Sequence, residues 1–148
     1  MIIREANVTE IGIIADFQVK MAWETEEFEL NLDIVTKGVS AVFDDCTKGK
    51  FYVAESDNKV VASLLTTFEW SDWRNKYVLW IQSVYVLPEF RKLGIFSQMY
   101  SFIKEIVKNN SDFSGIRLYV DKTNVKAQKV YEKVGMNGNH YQLFEEMF

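Results

Sequence analysis

A chain of 148 residues, 48% apolar, 15% aromatic and 26% charged, has enough apolar material to bury a core. That excludes disorder and points to a single domain over residues 1–148. Its net charge of −4 supplies no basic face for nucleic acid, and its one cysteine, Cys46, excludes an internal disulfide and a cysteine-cluster metal site. No apolar run reaches the roughly 20 residues of a membrane span, and the N-terminus lacks a signal-like apolar core, so the expected location is cytoplasmic.

Ile2–Ala6 reads as a short strand. Asn7 and Glu10 then form a capping-box pattern, and Ile11, Ile14, Ala15, Phe17, Met21 and Ala22 follow at helical spacing. A second helix is predicted from Leu32 to Asp45. Cys46, just beyond it, reads as a small core residue. The period then changes to that of strands. Phe51–Glu55 and Val60–Phe68 flank the turn Ser56-Asp57-Asn58-Lys59. A polar loop, Trp70–Lys76, leads to the long strand Tyr77–Leu87. Helical spacing returns at Ile95, Met99, Phe102, Ile103, Ile106 and Val107. Ile116–Val120 is predicted as a strand and Asn124–Val134 as a helix closed by Gly135. Tyr141–Phe148 is predicted as a last strand. The expected order is β-α-α-β-β-β-α-β-α-β, a layered α/β domain with about four helices on a mixed, mostly antiparallel sheet of about six to seven strands. The strands either side of helix 95–108 form a βαβ unit and should run parallel.

Between Val84 and Tyr100 the chain passes from strand to helix through its only proline, Pro88. Proline ends the ladder because it has no N–H to donate. Gly94 then lets the backbone bend at the start of a helix, where unpaired N–H groups and the helix dipole favour an anion. Arg91 and Lys92 add positive charge. There is neither the Gly-Lys-Ser/Thr of a P-loop nor a G-x-G-x-x-G. On R-x-x-G alone an ordinary strand-to-helix turn is the favoured reading, because so short a pattern recurs by accident.

A second element follows about 30 residues later: Asn124, Ala127, Tyr131, Gly135 and Met136 in the pattern N-x-x-A-x-x-x-Y-x-x-x-G-M. The two patterns together, in this order, resemble the GNAT family of acyl-CoA-dependent N-acyltransferases. There the turn follows V-x-P (here Val86-Leu87-Pro88) and reads R/Q-x-x-G-x-G/A. Phe96 departs from that pattern, standing where the family has Gly or Ala. The resemblance extends to the element order over essentially the whole chain.

The resemblance implies direct transfer of an acetyl group from acetyl-CoA to a primary amine, on a small molecule or a protein, with no metal. The diphosphate of coenzyme A would lie on the backbone N–H groups of Arg91, Lys92, Leu93, Gly94, Ile95 and Phe96, with Ser97. The pantetheine arm would run along Val84, Tyr85 and Val86, with the Val86 N–H facing the thioester oxygen. Asn124 and Ala127 would belong to the cofactor site. Tyr131, two helical turns from Asn124, would protonate the departing sulfur. The acceptor would meet Trp23, Glu24, Glu26 and Glu27 between the first helices, and Trp70 and Asp72 on the loop before Tyr77. Gln82 is the strand's candidate for orienting a water.

That strand contains no carboxylate to serve as general base. A non-catalytic acyl-CoA-binding or regulatory module on the same fold is therefore the rival reading. The aromatic-rich loops and the C-terminal segment are surfaces through which two copies could pair as a homodimer.

Overall fold

Five strands lie in chain order across one sheet: β1 (Ile2–Glu5), β2 (Lys50–Ser56), β3 (Lys59–Ser71), β4 (Lys76–Val86) and β5 (Phe113–Arg117). The first four run antiparallel, and β5 runs parallel to β4. The computed structural model describes residues 1–148, in two units, Met1–Arg117 and Leu118–Phe148. The first holds the whole sheet with α1 (Ile11–Glu26), α2 (Leu32–Asp44) and α3 (Ile95–Lys108).

Local chemistry sets the junctions. The Glu10 carboxylate accepts the Asn7 N–H at 2.7 Å, the capping contact expected before α1, and also pairs with Arg4. Asn31 caps α2, its side-chain oxygen accepting the Ile34 N–H at 3.1 Å. Asp57 and Asn58, both at positive φ, make the tight turn joining β2 to β3, which suits the twist of paired strands.

Neighbouring residues of β2 show how the layers form. Phe51 stacks on Phe43 of α2, while Tyr52 meets Phe102 of α3 edge-on. Side chains alternate along a strand, so α2 and α3 cover opposite faces. Tyr85 pairs across with Ser63, which pairs with Val53, and this places Tyr85 on the Phe51 face. There it packs on Phe17 of α1 at 5.1 Å. Ile14, Phe17, Leu64, Met99 and Ile103 are all buried, each stabilising the fold by about 1.5–3 kcal/mol.

In the second unit, α4 (Val125–Lys133) ends in a two-bond cap. The Gly135 N–H donates to Glu132 and the Met136 N–H to Tyr131, both at 3.0 Å, with Gly135 at φ +92°. This is the glycine C-cap with its apolar follower expected from the sequence.

The mixed α/β class and the four helices match expectation, but the sheet has five strands rather than six to seven. The strand expected at 116–120 lies instead at Phe113–Arg117, where β4 offers a partner. Tyr141–Phe148 forms no strand and is exposed throughout. Apolar and aromatic composition makes a strand only where a neighbour accepts its backbone bonds. The loop expected at Trp70–Lys76 is shorter, because Trp70 and Ser71 continue β3 and Lys76 starts β4. Cys46 is exposed rather than in the core. No helix is long and apolar enough to cross a membrane.

Candidate active site

β4 is bordered on both sides for only part of its length. Its ladder with β5 runs from Tyr77 to Trp80 and ends there, while β4 continues beside β3 to Val86. Midway along this second half the register to β3 shifts. Gln82 pairs with Leu65 and Tyr85 with Ser63, so Ser83 and Val84 together oppose Leu64. Ser83 takes up the extra residue at φ +52°. This is a β-bulge, which bends the strand and re-aims the residues after it.

Beyond the bulge the alternation of backbone groups decides what faces outward. The Leu87 N–H donates to Val61 at 2.9 Å. Val86, one residue earlier, therefore turns its own N–H and C=O away from β3. Its carbonyl accepts the Arg91 Nε at 2.9 Å.

The chain then makes one 3-10 turn, Pro88–Phe90, with the proline in its first position. The Arg91 N–H closes that turn on the Pro88 carbonyl at 3.2 Å. Lys92 and Gly94 both adopt left-handed backbone, at φ +66° and +74°. Alternating the hand of successive residues turns several N–H groups toward one concave side, a geometry that suits anions. The first bond of α3 runs from the Gln98 N–H to the Gly94 carbonyl, so the N–H groups of Ile95, Phe96 and Ser97 precede the helix's own ladder. A methyl on Gly94 would meet no atom within 4 Å. The ring of Phe96 stacks on Tyr100, one turn along α3, at 6.1 Å. Lys92 and Leu93 are exposed, Ile95 is buried and Ser97 is half-buried.

The side chains around Val86 form a connected group. The Glu24 carboxylate, near the end of α1, accepts the Tyr85 hydroxyl at 3.0 Å and the Arg91 guanidinium at 2.5 Å. The guanidinium lies over the Tyr85 ring at 5.4 Å. Burial, and then the bond to Glu24, push the Tyr85 phenol up to about 12. On the same strand Gln82 donates to the Thr67 hydroxyl at 2.5 Å.

The residues expected on the acceptor side do not all meet. Trp23, Glu26 and Glu27 are exposed at the end of α1, close in sequence to Glu24, whose carboxylate accepts the Tyr85 hydroxyl. Trp70 instead packs on Tyr77 at 5.1 Å, and Asp72 accepts the Trp73 N–H in the β3–β4 turn. Tyr77 and Tyr85 are eight residues apart along β4, about 25 Å in an extended strand. In the second unit, the Asn124 side chain accepts the Ala127 N–H at 3.1 Å and so caps α4. Burial pushes the Tyr131 phenol up, which keeps it protonated at neutral pH.

Sequence reasoning missed the bulge and the Glu24–Arg91 link. Ser83 carries no signal, since a left-handed position inside a strand is flagged only when the residue is glycine.

The model of the acetyltransferase (GNAT) family matches residues 15–136. The chain belongs to that family. Among solved structures, this GNAT chain is similar to a protein of Clostridium difficile 630 described as a "possible acetyltransferase". The two are 44% identical with a TM-score of 0.92, over 99% of this chain and 97% of that one. A "predicted acetyltransferase with acetyl-CoA" from Clostridium acetobutylicum is 22% identical, with a TM-score of 0.76 over 98% and 95% of the two chains. A ribosomal-protein-alanine N-acetyltransferase from Brucella melitensis biovar Abortus 2308 shares the fold at 13% identity and a TM-score of 0.80, over 99% and 98%. None of the curated proteins matches this chain.

Proposed function

We propose that this GNAT protein transfers the acetyl group of acetyl-CoA directly to a primary amine. The observation that carries the reading is the second half of β4. It has left the β5 ladder, its bulge precedes an outward Val86 N–H, and it leads into a helix start with two left-handed residues. The solved neighbour described with acetyl-CoA supports the choice of donor.

In this reading the backbone N–H groups from Lys92 to Phe96, with the Ser97 hydroxyl, hold the diphosphate of the cofactor. The Arg91 N–H already closes the turn on Pro88, so Arg91 contributes to the site through its side-chain bond to the Val86 carbonyl rather than by holding the diphosphate. Val84 to Val86 line the acyl arm. Acetyl-CoA supplies the activated thioester. The acceptor nitrogen bonds to the thioester carbon as the carbon–sulfur bond breaks. The Val86 N–H faces the carbonyl oxygen and stabilises the charge that gathers there. Tyr131 gives its proton to the departing sulfur, and its raised pKa keeps that proton in place beforehand. The proton lost by the amine passes to solvent. Asn124 acts by capping the helix that carries Tyr131. The family match runs from the first unit into the second, which supports one catalytic domain over residues 1–148. An exposed free thiol at Cys46 suits a reducing cytoplasm.

One observation favours the rival, a module that binds acyl-CoA without turning it over. β4 carries no carboxylate, and its one amide, Gln82, is committed to Thr67. Thermal-shift binding of acetyl-CoA, followed by an amine panel read through release of free thiol, tests both. Binding with thiol release on some amine supports the transferase. Binding with no release on any amine supports the module, and no binding removes both.

A further inference from the structure

Glu24 would be read from sequence as a carboxylate waiting for a cationic amine. Its two oxygens are instead both engaged within the protein, one by the Tyr85 hydroxyl and the other by the Arg91 guanidinium. Arg91 uses a second nitrogen, Nε, on the Val86 carbonyl. A guanidinium presents its donors in a rigid planar fork, so fixing one nitrogen on Glu24 fixes where the other points. Tyr85 secures the carboxylate from the strand side and supports the cation with its ring. The end of α1, the end of β4 and the turn into α3 are thereby joined at one carboxylate.

We propose that Glu24 is a positioning residue for the chemical step. It holds Arg91 on the Val86 carbonyl and so fixes the orientation of Val86, whose N–H faces the reacting oxygen. The inference rests on the acetyl-transfer reading for what Val86 does, but the mechanical link from Glu24 to Val86 stands on the geometry alone. Donor affinity depends on backbone groups of the turn, so a loosened Val86 lowers turnover more than it lowers binding.

Glu24→Gln separates these effects. The amide oxygen can still accept the Tyr85 hydroxyl, which leaves its NH2 facing the guanidinium, donor against donor. The variant is expected to lower kcat about tenfold, the scale of one charge-assisted hydrogen bond partly open to water. The acetyl-CoA Kd should stay within about threefold, because binding energy that is not specific to the transition state is untouched. Arg91→Lys should behave likewise, since an ammonium is a point donor rather than a fork. The double variant Glu24→Gln/Arg91→Lys should be no slower than the worse single one.

The ligand-free readout is hydrogen exchange at the amides of Leu87, Phe90 and Arg91, which are bonded to Val61, Leu87 and Pro88. They should exchange faster in Glu24→Gln. An unchanged kcat with a raised amine KM would overturn the inference and return Glu24 to the acceptor site, as would unchanged exchange at those three amides. If the wild-type protein binds no acetyl-CoA, the functional reading falls by itself, and the exchange comparison still decides the link.

Discussion

Gly94→Ala isolates what the turn before α3 is for. Gly94 sits at φ +74°, and a methyl added there meets no atom within 4 Å. The cost to the ligand-free protein is therefore backbone strain without a clash, about 1–2 kcal/mol for an L-residue in left-handed backbone. For a chain of this size that lowers Tm by roughly 3–8 °C. The open space beside Gly94 is also where the reading puts a diphosphate. The acetyl-CoA Kd should then rise by more than about tenfold, beyond what loss of stability explains, because close backbone approach is what glycine permits. Calorimetry measures both quantities. Gly135→Ala is the strain control. Gly135 lies at φ +92° with equal room for a methyl, so it should lower Tm comparably and leave Kd within about threefold. A normal Kd in Gly94→Ala, alongside the expected fall in Tm, would refute the reasoning.

Three further outcomes follow from particular contacts. Tyr131→Phe should lower kcat about 100-fold, the lower end of general-acid contributions, with Kd for acetyl-CoA unchanged; an unaltered rate in steady-state assays would make Tyr131 structural. Partial burial pushes the Glu10 carboxyl up, but the Arg4 guanidinium and the Asn7 N–H outweigh it and hold the carboxyl below its ordinary 4.5. A depressed carboxylate stabilises the fold above its unfolded pKa, and that contribution is lost as pH falls through the folded value. The stability gap between wild type and Glu10→Gln, measured by urea unfolding, should therefore be full at pH 7 and shrink below about pH 4; a gap independent of pH would contradict the assignment. Gly49→Ala should cost about 3 kcal/mol or more. Its Cβ would lie 2.4 Å from the Thr66 carbonyl oxygen, on backbone at φ +144°, and a change in Tm under 2 °C would show that this crossing is looser than described.

Helices were legible in this sequence because their signals are local. The period of Ile11 to Ala22, the Asn7–Glu10 pair and the Gly135 cap each depend on residues within a turn or two of one another. Strands were legible in kind but not in extent. Leu118 to Val120 have strand composition, yet β4 pairs with β5 only as far as Trp80, and no local pattern encodes where two strands part. Tyr141–Phe148 is apolar and aromatic enough to be read as a strand and has no ladder to join. At the site, Pro88 and Gly94 marked the turn correctly because their backbone constraints are intrinsic. The left-handed positions of Ser83 and Lys92 were silent, since neither residue type advertises that conformation. The direction of the Arg91 side chain was equally silent. Its partner Glu24 lies 67 positions away in the chain, and only the packing of α1 against Tyr85 brings the two together.

The central claim is that the turn from β4 into α3 holds the diphosphate of an acyl donor. A crystal structure of the protein with acetyl-CoA tests it most directly. The account predicts diphosphate oxygens within hydrogen-bonding distance of the N–H groups between Lys92 and Ser97, with the thioester oxygen at the Val86 N–H. A donor bound elsewhere, with that turn unfilled, would contradict it.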